Sequence, residues 1–290
     1  MFKRLSQAAF LLFVINVQYG CSMDQMVIRA GLPMIEGGIV AMQKEPDLEL
    51  AKAAFPVNIE MIEGMLVKDP RNEVLRQYTA QAYYGYAYSF IEDHDPERAS
   101  KLYYRGYLHG MAALAEYGLD EKYENATLPE LQSAVNDLDD DAITALFWTA
   151  SNLAKWIDMN RDNVQSLSQL SKAVMFMQRV LELDENFFMA GPHVFFAVYY
   201  GSRPPMAGGN YALSEKHFEF ARNYNKNKLL LVDVLQAQYL DRQRMDRTAF
   251  NKRLNTVIKS ADDLYPEQAM INSVAMEKAL LLLKRGEKWF

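Results

Sequence analysis

Apolar positions along this chain recur at helical intervals of three and four residues, and strand-like alternation is hard to find. Asp95-Pro96 supplies a cap and a residue suited to the first helical turn, and Ala99, Leu102, Tyr103 and Gly106 follow at helical spacing. Residues 142–159 come after Asp139, Asp140 and Asp141, whose carboxylates suit a helix N-terminus. Residues 266–285 open on Pro266-Glu267 and stop before Gly286. The pattern predicts helix after helix.

The breaks between helices repeat as well. Asp69-Pro70, Asp184-Glu185 and Tyr265-Pro266 each separate two apolar helical runs. Counting back from these closing positions gives small, large and small residues at tetratricopeptide spacing. Glu185 yields Ala173, Met177 and Val180; Lys226 yields Ser214, Phe218 and Ala221; Met111 yields Ala99, Tyr103 and Gly106. Pro266 yields Leu254, Ile258 and Ala261, a weaker set. The closing positions 70, 111, 185, 226 and 266 are spaced near forty residues, with one longer step that holds an insertion near 115–140. Such hairpins bury their apolar faces only against their neighbours. The predicted fold is all-α, a tetratricopeptide-like helical-hairpin solenoid, forming one domain over residues 21–290 behind a signal segment, 1–20.

Composition agrees. The 14 Gly and 10 Pro among 290 residues are too few for a disordered chain or for the turns of an all-β protein. A net charge of −6 argues against a nucleic-acid partner. The single cysteine excludes a disulfide framework and any multi-cysteine metal site.

That cysteine is placed tellingly. Lys3 and Arg4 precede an apolar run from Ala8 to Val17, too short to span a bilayer but suited to a secretory signal. The run ends in Gly20-Cys21-Ser22, which resembles a bacterial lipobox with Cys21 as the lipidation site. Gln18 departs from that pattern, where an aliphatic residue is usual. An ordinary signal peptide or a buried first helix would also account for the segment. Ser22, rather than Asp, favours sorting to the outer membrane.

Chemistry is sparse. His94, His109, His193 and His217 are too far apart in sequence for a helical metal pair. Asp137 to Asp141 imitates the start of a calcium loop, but Ala142 and Trp148 stand where glycine and glutamate are needed. No phosphate loop, nucleophile elbow or dinucleotide fingerprint occurs, so no enzyme activity, cofactor or metal is expected. Two features suggest binding instead. Trp148, Asn152 and Trp156 are spaced four apart on a helix, and Tyr84 and Tyr88 form a second aromatic stripe with Gln77 and Gln81. Together with His193 they are candidates for the wall of a partly wet cavity, with core packing as the competing reading. The linker 201–210 carries Arg203, Pro204, Pro205, Gly208 and Gly209 and suits either a cavity mouth that grips a partner or a stiff inter-helix loop.

The lipobox, the LELD-E turn before Ala190-Gly191, the YYGS-R-P-PMAGG linker, the EKHFEFA helix and the ALFWTASNLAKWI helix resemble the TatT-type lipoproteins. These are the tetratricopeptide-repeat T components of tripartite ATP-independent periplasmic (TRAP) transport systems. The resemblance implies a periplasm-facing homotrimer that pairs with a periplasmic substrate-binding protein and passes it a small organic ligand. A scaffold lipoprotein of the envelope, with the same fold and no ligand, is the competing expectation.

Overall fold

Local cap chemistry sets most helix starts in the computed structural model, which describes residues 23–123 and 126–290. The signal segment and Cys21 lie outside these residues. Helix α1 spans Met23–Gln43, and α2 spans Leu48–Lys68 behind Asp47, whose carboxylate accepts from the Glu49 and Leu50 amides. Asn72 caps α3 (Glu73–Tyr86), which widens into a π turn over Ala87–Ile91. Asp95 accepts from Arg98 N to start α4 (Pro96–Glu116). Between α4 and the next hairpin lie a short 3₁₀ turn, α5 (Leu128–Asn136) and a second 3₁₀ turn at Asp140–Ala142. The chain continues as α6 (Ile143–Met159), α7 (Val164–Ser168), α8 (Leu170–Leu183) and α9 (Phe187–Gly201). It ends with α10 (Tyr211–Tyr224), α11 (Leu231–Leu235) with its π extension Gln236–Asp241, α12 (Arg247–Val257) and α13 (Ala269–Gly286). No strand occurs among the described residues.

The helices pair into hairpins α3/α4, α6/α8, α9/α10 and α11/α12, an all-α solenoid. Partners within a hairpin run antiparallel: Tyr103 on α4 donates to Glu92 beyond α3, while Tyr83 stacks on His109 near the other end. Neighbouring hairpins approach closely where side chains are small. A Cβ on Gly106 or Gly110 of α4 would collide with Asn152 or Thr149 of α6. The first helices of the hairpins, α3, α6, α9 and α11, therefore run in one direction and form the inner layer.

Three of the small–large–small sets are buried as the spacing predicts: Ala99–Tyr103–Gly106, Ala173–Met177–Val180 and Ser214–Phe218–Ala221. The fourth is in another register. Ala261 is exposed, and the interior residues of α12 are Phe250, Leu254 and Val257. Phe250 takes a position that is small elsewhere because Gly286 of α13 lies opposite it. A Cβ there would sit 2.8 Å from the Phe250 ring. Two closing positions also shift: Met111 lies inside α4, and Pro266 opens the 3₁₀ turn that leads into α13.

The superhelix curls until its last helix meets its first ones, with α13 against α1 and α2. Lys278 of α13 bonds Glu92 at 2.8 Å and Asp93 at 2.5 Å, and Arg285 bonds Asp93 at 2.8 Å. These contacts span about two thirds of the chain and close the inner layer around a central space.

Candidate ligand-binding cavity

That space is a cavity of about 870 Å³ walled by α1, α2, α3, α6, α9, α11 with its π extension, and the start of α13. Each wall is a stripe of residues three or four apart. On α9 it runs through Gly191, Val194, Phe195, Val198 and Tyr199 to Ser202 and Arg203; on α6 through Trp148, Ser151, Lys155 and Asp158. The stripes are apolar at the helix starts. Their charged members, Lys155, Asp158, Arg161 and Arg203, all lie at the C-terminal ends of α6 and α9.

Of the residues singled out from sequence, Tyr84, Tyr88, Trp148 and Arg203 line this cavity. Tyr84 stacks on Tyr88 at 6.1 Å and meets Trp148 at 5.5 Å. Phe188 closes on Trp148 at 4.8 Å, edge to face. Burial pushes the Tyr84 hydroxyl up to about 12, so it stays protonated. Phe188 reaches the indole because Phe188, Met189 and Ala190 adopt left-handed backbone angles before α9 settles into a regular helix. Three consecutive non-glycine residues in that region cost roughly 1–2 kcal/mol each. The Asn225 side chain, donating to Met189 O at 2.8 Å, helps hold the turn.

Asn152, Trp156 and His193 are elsewhere. Residues four apart on an α-helix drift about 40° around its axis per step. The Trp148–Asn152–Trp156 stripe accordingly leaves the cavity. Asn152 is fully buried over Gly106, donating to Ala80 O at 3.0 Å and Trp148 O at 2.9 Å, and ties α3, α4 and α6 together. Trp156 packs on Tyr104 of α4 at 5.3 Å. His193 faces α10: its ring stacks on Phe220 at 3.6 Å and its Nδ1 is 2.9 Å from Nδ1 of His217. Burial, then the neighbouring His193, push His217 down to about 4, so this pair is neutral near pH 7, one ring donating to the other.

The linker after α9 is a folded turn. Pro205–Ala207 forms a 3₁₀ turn, Gly208 has φ +83°, and Gly209 N donates to Pro204 O at 3.1 Å. A side chain on Gly209 would strike the Arg203 carbonyl. Pro204, Pro205, Gly208 and Gly209 do not line the cavity, but they fix the backbone of the residue that does. The Arg203 guanidinium lies 3.9 Å over the Tyr199 ring and donates to Tyr199 O at 2.9 Å.

Apart from Arg203, sequence patterns did not point to the polar end of the cavity. Glu92 accepts from Lys155 at 2.7 Å, Lys278 at 2.8 Å and Tyr103 at 2.6 Å. Burial alone would raise the Glu92 carboxyl, but the two lysines outweigh it and hold it below the usual carboxylate range. Asp158 accepts from Tyr239 at 2.8 Å and pairs with Arg161. The two π turns bring Tyr88, Ser89 and Tyr239 to this end, a use of wide turns common at functional sites. These partners are up to 186 residues apart, so no local motif announces them.

The sequence profile of the TRAP transporter T-component family matches residues 44–290. The chain belongs to the TRAP transporter T-component family. The match covers α2 through α13, and hence every wall of the cavity except α1. The inner layer, the αL turn at Phe188 and the Arg203 linker are thus all features of a transporter component. No curated protein sequence matches this T-component. Among the described residues no helix is long and apolar enough to cross a membrane, and no cluster of histidine and carboxylate side chains could hold a metal.

Proposed function

We propose that this T-component is a periplasm-facing lipoprotein, tethered through Cys21 to the outer membrane. It binds a small organic ligand in the central cavity and exchanges it with a periplasmic substrate-binding protein of the same TRAP system. The observation that carries this reading is the cavity itself: about 870 Å³, apolar over most of its wall, with charged groups gathered at one end. A structural repeat protein would be expected to fill such a space with side chains, because unfilled apolar volume costs stability. Here aromatic rings and methionines surround it. Methionine adapts its shape to an occupant at little cost, which suits a transport component. Assembly as a homotrimer would line up three such cavities.

Affinity capture from solubilised membranes tests the reading, with mass spectrometry of both proteins and small molecules. The expected result is a substrate-binding protein and an organic molecule, both retained by the wild type. Capture of envelope structural proteins alone, with neither of these, would assign the scaffold role instead. A Cys21→Ser chain that remains as firmly membrane-bound as the wild type would remove the lipid tether from the proposal; stable anchoring by lipid needs more than one acyl chain.

A further inference from the structure

We propose that Arg203 anchors the head group of an anionic amphiphile whose apolar body lies along the inner face of α9, an inference that rests on the cavity being a ligand site. Four charged side chains line the cavity: Lys155, Arg161, Arg203 and Asp158. Lys155 is committed to Glu92 at 2.7 Å and approaches Asp158 at 3.5 Å, and Arg161 pairs with Asp158. Arg203 differs. Among the described residues no carboxylate pairs with it; its protein contacts are the Tyr199 ring and the Tyr199 carbonyl, four residues back on α9. The ring supports one face of the guanidinium, and Nη2 alone is engaged by the backbone. Its remaining N–H groups stay available as a planar fork, the geometry that matches a carboxylate or phosphate.

The backbone around Arg203 is built to hold it still. Gly209 folds so closely over the Arg203 carbonyl that no side chain fits there, and Asn210 N donates to Tyr200 O at 3.0 Å. A mobile surface arginine would need no such turn. From Arg203 the α9 stripe runs back through Tyr199, Phe195 and Val194 to Gly191, beside Phe188 and Trp148. Twelve residues of helix give this path a length of about 18 Å, suited to an extended alkyl chain. No charged residue lines the cavity along it. A short dicarboxylate fits poorly, because its second charge would meet either apolar wall or the lysine and arginine already paired with Glu92 and Asp158. The ligand class is therefore a monoanionic head on a long apolar body. Carboxylate and phosphate heads share the chemistry.

Calorimetry on the full-length Cys21→Ser chain tests this with decanoate, decyl phosphate, decanol and succinate. Decanoate should bind the chain more tightly than decanol, and succinate should not bind. Arg203→Gln should weaken decanoate by about 10-fold or more, the scale of a lost charge-assisted pair, and leave decanol unchanged. Arg203→Lys should recover part of the difference. Tighter binding of decyl phosphate than of decanoate, lost in Arg203→Gln, would keep the anchor and identify the head as phosphate. Equal affinity for decanoate and decanol, or equal weakening of both in Arg203→Gln, would overturn the role of Arg203 while leaving the cavity a ligand site. Binding of none of the four would remove the ligand-site reading and this inference with it.

Discussion

Replacing Lys278 by methionine tests how the solenoid is closed. Lys278 is 6% exposed, and its ammonium touches Glu92, Asp93 and the face of the Tyr88 ring, 4.2 Å away. Methionine keeps much of the volume and removes the charge. Taking one partner from a buried ion pair costs about 3–5 kcal/mol when the other is left alone. Here Glu92 retains Lys155 and Asp93 retains Arg285, so the loss falls at or just below that range, about 2–3 kcal/mol. Urea denaturation at pH 7 measures it. The pH dependence carries the sharper test. Burial opposes ionisation of Glu92 and Asp93, yet their cationic partners hold both below the usual carboxylate range. Stability from such depressed groups is present above the ordinary carboxylate pKa and is lost as pH falls through the folded values. With Lys278 gone the depression shrinks, so the gap between wild type and variant should narrow as the pH is lowered below about 4. Adding Glu92→Gln to Lys278→Met should cost less than the two single changes together. A loss under about 1 kcal/mol at pH 7, or a gap that does not change with pH, would refute the clasp.

Trp148→Ala should cost about 3–5 kcal/mol in a denaturation experiment, because the indole is buried between Tyr84 and Phe188 as well as lining the cavity; a much smaller loss would make it a ligand contact alone. Gly208→Val should cost about 1–3 kcal/mol, since Gly208 has positive φ, and Gly209→Val should also lower the melting temperature through its clash with Arg203; an unchanged melting temperature in both would contradict the folded turn. Stability should decline as pH falls from 6.5 towards about 4, because His217 must charge in the unfolded chain before it does in the fold, and His217→Gln should flatten that slope.

Much of the fold was legible because its signals act within one helical turn. Asp95-Pro96 and Asn72 start helices by accepting hydrogen bonds from amides three residues ahead, wherever the rest of the chain lies. The small residues at Ala99, Ala173 and Ser214 recur because any hairpin of this spacing needs room for its neighbour. The exception at Phe250 depends on Gly286 across the interface, and nothing local to residue 250 reveals that glycine.

The cavity was only half visible. Tyr84, Tyr88 and Trp148 belong to it, as aromatic stripes on an inner helix suggest. Asn152 and Trp156 share the same sequence pattern and do not, because a stripe of fixed spacing winds around the helix and the neighbours decide which part of it faces the space. Helical periodicity orders residues around an axis without saying which way that axis is turned. Gly106 turns Asn152 into the α4 contact by leaving a hole that its amide fills. Closure is decided at longer range still. Glu92 and Lys278 meet because small rotations between successive hairpins add up until the last helix reaches the first. That sum belongs to every interface at once, so the sequence alone determined the hairpins, and tertiary packing decided that they enclose a cavity with a charged end.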